Sequence, residues 1–180
     1  SIQRIEFSIE QSEVKANKND VRKSAQVSML ENSLLNYNLF NQNESFENFI
    51  VGESNELAFM AAKKITMQPS HYNPLFIYGS VGMGKTHWLN AIGLEIGNSK
   101  KVMFISAERF MYHFVRSLKN NDMVKFKDFF RKANVFIIDD IQFVAGKEAM
   151  QEEFFHTFNA LIEKGSQIVI SSDRPPSSFE

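Results

Sequence analysis

The sequence predicts an α/β fold: a parallel sheet flanked by helices, built around a phosphate-binding loop. Three observations carry this. Short apolar runs of strand length alternate with longer helical patterns between about residues 54 and 170. The run Leu75-Phe76-Ile77-Tyr78 passes into Gly79-Ser80-Val81-Gly82-Met83-Gly84-Lys85-Thr86 and then into His87-Trp88-Leu89-Asn90-Ala91-Ile92, which reads as strand, glycine loop and helix. A further run, Val135-Phe136-Ile137-Ile138, ends in Asp139-Asp140. The glycine loop fits G-x-x-x-x-G-K-[ST], a P-loop. Its glycines, Gly79, Gly82 and Gly84, let backbone N–H groups turn inward around phosphate oxygens. Lys85 can reach the β- and γ-phosphates, and the Thr86 hydroxyl can bind Mg²⁺.

Composition bounds the rest. The chain has 180 residues, enough for one full domain and an appendage. With 43% hydrophobic and 23% charged residues it has the make-up of a globular protein. A net charge of −1 gives no overall nucleic-acid signature, so any DNA contact must come from a local patch or from sequence outside these residues. Cysteine is absent, which excludes disulfides and thiolate metal sites and fits a reducing cytoplasm as well as other settings. No apolar run reaches the roughly 18 residues of a membrane-spanning helix. The chain opens on Ser1 rather than Met, and its first residue is expected to lie inside a longer sequence.

In chain order, residues 1–10 alternate, with Ile5, Phe7 and Ile9 on one side, as in the last strand of an N-terminal domain. Residues 11–44 are rich in Gln, Ser, Asn, Lys and Glu and contain neither Gly nor Pro, which predicts a flexible polar linker. The nucleotide-binding domain is expected over 45–180. It begins at Phe46-Glu47-Asn48-Phe49-Ile50-Val51-Gly52. Ser54 can cap a helix carrying Leu57, Met60, Ala61 and Ile65, which ends before Pro69. After the first strand and the P-loop, the helix beginning at Lys85 stops near Gly97.

Residues 102–105 form a second strand whose continuous apolarity predicts burial on both faces. Ser106 caps a helix with Phe110, Phe114, Val115 and Leu118 on one side. Asn120-Asn121 break it, and Asp122 can cap a short helix with Val124, Phe126, Phe129 and Phe130. Lys119, Lys125, Lys127, Arg131 and Lys132 make this hairpin the most basic local stretch, a pattern that equally fits a solvated helix face. The third strand, 135–138, is followed by a long helix over about 148–163, with an apolar ridge of Phe154, Phe155, Phe158, Leu161 and Ile162, and Gly165 as its stop. A fourth strand, 168–170, ends in Ser171-Ser172-Asp173-Arg174.

An acid at the end of an apolar strand is the usual companion of a P-loop. Asp139 is placed to hold Mg²⁺ opposite Thr86. Asp140 can orient or deprotonate an attacking water. Asp173, at the end of the next strand, can sense the γ-phosphate or its water, because ligands of open α/β sheets gather at strand ends, although turn chemistry explains it as well. Among the four histidines no metal-ligand spacing occurs. His87 follows Thr86 and is expected near the phosphates, whereas His156, within the ridge of the long helix, reads as structural.

The motifs together resemble the AAA+ ATPase domain of the bacterial chromosomal replication initiators, the DnaA family. The resemblance rests on Tyr72-Asn73-Pro74 leading into the P-loop, on Ser106-Ala107-Glu108-Arg109-Phe110, and on Ile138-Asp139-Asp140-Ile141-Gln142-Phe143 continuing to Lys147-Glu148. It rests further on the run from Gln151 to Leu161 and on Ser172-Asp173-Arg174-Pro175. It covers roughly residues 45–180 and, weakly, 1–10. It implies an ATP/ADP switch and weak ATPase, with Mg²⁺, that assembles into a filament on replication-origin DNA and melts it. The implied strand order is 5-1-4-3-2, with the fifth strand, the lid, the arginine finger and a duplex-reading C-terminal domain beyond residue 180.

The resemblance also implies single-strand contact through residues 107–132, with Val115 and Lys147 at implicated positions, and a replicative helicase and acidic phospholipids as further partners, at the nucleoid in the cytoplasm. The sequence departs from the family pattern at Ala149, where many members carry a strand-gripping Arg, at Ser80, usually Gly, and at Trp88, usually Leu. The alternative is a related AAA+ regulator or helicase loader. A small-molecule kinase would need an Arg-rich lid and an acceptor pocket, and a nucleotide-independent scaffold would not need Lys85, Thr86 and Asp139.

Overall fold

A computed structural model describes residues 40–179; the expected strand at 1–10 and most of the expected linker lie outside the described residues. The elements run α1 (Glu56–Met67), β1 (Leu75–Tyr78), α2 (Lys85–Gly97), β2 (Val102–Ser106), α3 (Ala107–Lys119), α4 (Met123–Phe130), β3 (Val135–Asp139), α5 (Glu148–Glu163) and β4 (Gln167–Ser172), with 3-10 turns at Ile141–Val144 and Pro176–Phe179. The four strands are parallel in the order β1-β4-β3-β2, as the resemblance implied. Every residue of β3 and β4 is buried, which is why their apolar runs do not alternate.

Successive strand side chains point to opposite faces, and the two faces carry different cores. On one, Ile77, Val135, Ile137 and Val169 pack beneath Leu89, Ile92 and Ile96 of α2 and Ala62 and Ile65 of α1. On the other, Phe136 meets Phe110, Phe130 and Phe158, and Phe110 stacks on Phe154 at 4.1 Å. Phenylalanine fills this second layer because α3, α4 and α5 converge there and large flat rings fill the gaps with few rotamers to fix.

Two expected helix faces are corrected. Leu57 and Met60 of α1 are 81% and 62% exposed; the packed face is Ala58, Phe59, Ala62 and Ile65, at i, i+1, i+4 and i+7. In α5, Phe154 and Leu161 are buried, whereas Phe155 and Ile162 of the expected ridge are 66% and 43% exposed. His156 on the same helix is exposed rather than structural, 3.6 Å from Glu152. The caps differ as well. Asn55, not Ser54, precedes α1: its Oδ1 accepts from Gly52 N–H at 2.8 Å and its Nδ2 donates to Ile50 O at 3.1 Å. Ser106 caps α3 as expected, accepting from Arg109 N–H. Asp122 precedes α4 without a side-chain cap and instead pairs with Lys125 at 2.9 Å.

The folded unit also extends back into the stretch expected to be linker. Buried Asn90 on α2 receives Asn41 N–H at 2.9 Å and donates to Asn41 O at 2.7 Å and Glu44 O at 3.1 Å. Phe40 stacks on Phe104 at 5.8 Å. Phe46 and Phe49 close on Trp88, with Phe59 completing an aromatic cage. Residues 40–49 thus form a strap over the P-loop helix, and Trp88, unusual for the pattern, fills the space between its rings. A Cβ at Gly93 would lie 2.1 Å from the Phe40 ring, so glycine there admits the strap.

Candidate functional site

The P-loop leaves β1 while still paired: Gly79 N–H donates to Ser172 O at 3.2 Å. Gly82 and Gly84 then take φ of +83° and +79°, a conformation that strains any residue with a Cβ. At Gly82 a Cβ would meet nothing within 4 Å, and at Gly84 it would make only ordinary contact with the Phe49 ring at 3.5 Å, so at both positions the backbone alone demands glycine. Gly84 is also the N-cap of α2. The first N–H groups of that helix have no intrahelical acceptor, and its positive dipole end faces the loop, which together make an anion cradle. Lys85, only 9% exposed, donates from Nζ to Gly79 O at 2.7 Å and Ser80 O at 3.0 Å. Two of its three donors therefore hold the ammonium across the arc of the loop.

Asp139 ends β3, buried, with one hydroxyl on each carboxylate oxygen. Thr86 Oγ1 donates to Oδ2 at 2.7 Å, and Ser171 Oγ, from β4, donates to Oδ1. Burial pushes the Asp139 carboxyl above its ordinary pKa; the Ser171 and Thr86 hydrogen bonds pull it back, and the neighbouring Asp140 charge pushes it up again. A cation in front of the pair would favour the ionised form. Among the described residues no three His, Cys, Asp or Glu side chains cluster as a metal cage. One carboxylate and one hydroxyl fit Mg²⁺, which takes few protein ligands and completes its octahedron with water and phosphate oxygens.

Asp140 follows in the left-handed region, φ 57° and ψ 52°, and opens the 3-10 turn. Its N–H donates to Ser171 Oγ at 2.9 Å and its Oδ1 accepts from Gln142 Nε2 at 3.0 Å. Asp173, just beyond β4, donates its N–H to Gln142 Oε1 at 3.2 Å, and its carboxylate accepts from Arg174 Nε at 3.0 Å.

The fold therefore gathers Gly79, Gly82, Gly84, Lys85, Thr86, Asp139, Asp140 and Asp173 at the C-terminal ends of the adjacent strands β1, β4 and β3. The ring of His87 goes elsewhere. Its Nε2 lies 2.8 Å from Ser45 O, and Phe49 packs edge-on at 4.9 Å, so its side chain holds the strap. His113 is buried in α3; burial first, then Arg116 and Arg109, lowers its pKa to about 4, which leaves it neutral at pH 7. Ser171 and Gln142 were not singled out in the sequence. The available signal was a polar residue inside a buried apolar strand, Ile168-Val169-Ile170-Ser171, and an amide two residues from a candidate base.

The basic hairpin is formed by α3 and α4. Two of its lysines are engaged: Lys125 with Asp122 at 2.9 Å, and Lys127 with buried Glu153 at 3.1 Å. Lys119, Lys132, Lys147 and Ala149 are exposed, as is Val115 at 42%.

A glycine loop at a helix N-terminus, facing a strand-end aspartate across a parallel sheet, defines a P-loop NTPase domain. The model of the bacterial DnaA ATPase domain matches residues 40–180, and the chain belongs to that family. It is 50% identical over 143 residues to the chromosomal replication initiator protein DnaA of Wolbachia sp. subsp. Brugia malayi, and 52% identical over 142 residues to that of Rickettsia canadensis. Each match covers 76% of this chain and 31% of the relative, so the chain spans about a third of the length of the curated relatives it matches. AMPPCP-bound DnaA from Aquifex aeolicus is similar with TM-score 0.76 and 42% identity, over 79% of this chain and 45% of that one. A replication initiator DnaA bound to AMPPCP and single-stranded DNA gives the same values. DnaI, at 18% identity and TM-score 0.66 over 75% of this chain and 74% of its own, shares the fold alone.

Proposed function

We propose that the chain is the nucleotide-binding part of an ATP-dependent initiator of chromosomal replication, an ATP/ADP switch with weak hydrolysis. The observation that carries this is the 2.7 Å hydrogen bond from Thr86 to Asp139 beside the Lys85-crossed loop: hydroxyl, carboxylate and ammonium converge where a nucleoside triphosphate would present its β- and γ-phosphates. In this reading the loop N–H groups and Lys85 bind the phosphates, and Thr86 and Asp139 would hold Mg²⁺, which when bound would supply neutralising charge to the phosphates. Asp140 orients the attacking water and takes its proton as the water oxygen bonds to the γ-phosphorus and the bridging oxygen leaves with ADP. Asp173 senses the γ-phosphate from the end of β4. Nucleotide and single-stranded DNA bound to a relative at 42% identity support the extension to DNA; we assign the contact here to residues 107–132 and Lys147 on the family resemblance. Filament assembly, the helicase, acidic phospholipids and a nucleoid location belong to the same proposal for the full-length protein.

Equilibrium binding of labelled ATP and ADP, with and without Mg²⁺, tests the switch. Binding of both, strengthened by Mg²⁺ and nearly lost in Lys85→Ala, is expected. Wild-type affinity in the variant would sink the assignment of the loop.

A further inference from the structure

We propose that Gln142 is a positioning residue that ties the Asp140 carboxylate to the end of β4. One amide spans the two: Nε2 donates to Asp140 Oδ1 at 3.0 Å and Oε1 accepts from Asp173 N–H at 3.2 Å. Chemistry fixes the orientation of that amide. An ionised carboxylate only accepts and a backbone N–H only donates, so the flipped amide would lose both bonds. The bridge joins the turn after β3 to the end of β4, Gln142 and Asp173 being 31 residues apart in sequence, and it does so next to the left-handed φ of 57° at Asp140. A backbone held there needs support from its surroundings. Ser171 supplies part of it by accepting from Asp140 N–H, and Gln142 supplies the side-chain part.

The inference rests on the reading of Asp140 as the group that orients and deprotonates the water. Given that reading, the direction of the base is set by the end of β4, the strand that Asp173 directly follows. A shift of the β4 end, where the γ-phosphate is sensed, reaches Asp140 through one side chain. A displaced base costs rate without costing nucleotide affinity, because the water, not the nucleotide, is what it orients.

Three variants test this. Gln142→Met removes both bonds at similar length. Gln142→Glu keeps the acceptor toward Asp173 N–H and sets a second carboxylate against Asp140. Asp140→Asn removes the base. On the 180-residue chain, hydrogen exchange of the Asp173 amide is followed by NMR. It should be slow in the wild type and in Gln142→Glu, and at least about tenfold faster in Gln142→Met. On the full-length protein, single-turnover hydrolysis should fall about tenfold in Gln142→Met with ATP affinity unchanged.

Equal Asp173 exchange in the wild type and Gln142→Met would remove the bridge. A normal rate in Gln142→Met beside a slow Asp140→Asn would leave Asp140 as the base and overturn the role of Gln142. A normal rate in Asp140→Asn would instead sink the reading of Asp140 on which the inference stands.

Discussion

At the scale of the residue, the site is a set of charges that the fold holds ready for opposite charges. Lys85 is nearly buried and held by two carbonyls, so a phosphate gains its full charge without rearranging the loop. Lys85→Ala should weaken ATP binding by about a hundredfold or more, a loss within the range of a charge-assisted contact, read by calorimetry. Asp139 is the counterpart. Its folded pKa is raised, so its contribution to stability is full below the ordinary value of 3.8 and is lost as pH rises through the folded value. Asp139→Asn mimics the protonated form. The nucleotide-free variant should therefore melt higher than the wild type at pH 7, the difference shrinking on acidification toward pH 3.8. A lower melting temperature at pH 7 would show that the Ser171 and Thr86 hydrogen bonds outweigh the burial.

Ala149 gives a third prediction. It is exposed on α5 two residues from Lys147, so Ala149→Arg should tighten single-stranded DNA and steepen the salt dependence by about one released counterion. Unchanged affinity and slope would count against a strand path across this surface. Lys85 and Thr86 are legible because the P-loop motif fixes their spacing, and Asp139 because it closes an apolar strand-length run. Ser171 is not, because sheet adjacency brings it to Asp140 across 31 residues, and Gln142 is not, because its second partner, the Asp173 N–H, is equally distant in sequence.

At the scale of the element, the strands were legible and the helix faces only half so. A strand buried on both faces announces itself as an unbroken apolar run, and β2, β3 and β4 did. A helix shows its periodicity, but periodicity does not say which apolar stripe is covered. Hence Leu57 and Met60, and Phe155 and Ile162, stand exposed while their neighbours pack. The strap was missed for another reason. Its sequence, Phe40-Asn41-Gln42-Asn43-Glu44, is polar like a linker, and its order comes from hydrogen bonds to a single buried amide on α2. Asn90→Ala should release it. Losing three hydrogen bonds, two of them to backbone carbonyls, should cost about 2 kcal/mol. Trp88, the sole tryptophan, sits 2% exposed beneath Phe46 and Phe49, so its emission should shift to the red as the strap lifts. Emission and melting temperature both unchanged would show that the aromatic contacts alone seat residues 40–49.

At the scale of the whole molecule, the sheet order makes the strand that delivers the P-loop an outer one. Among the described residues β1 pairs with β4 alone, whereas β3 lies between β2 and β4. Strand alternation sharpens the consequence. Gly79 N–H donates to Ser172 O, so the N–H groups two residues back along β1 face β4 as well, and that of Tyr78 faces the open side. Tyr78 is also 58% exposed, while every residue of β3 is buried. An outward N–H on an edge strand is bonded to water and needs no unfolding to exchange. In the 180-residue chain the Tyr78 amide should exchange at least about a hundredfold faster than that of Ile77 beside it, and faster than all amides of residues 135–138, which open only with the sheet. Adding ATP should slow the amides of the loop and leave Tyr78 fast, because the phosphates sit at the strand's end and not along its flank. Protection of Tyr78 equal to that of β3 would mean that the outer edge is covered in solution. A dependence of that protection on protein concentration would identify the cover as a second copy of the chain.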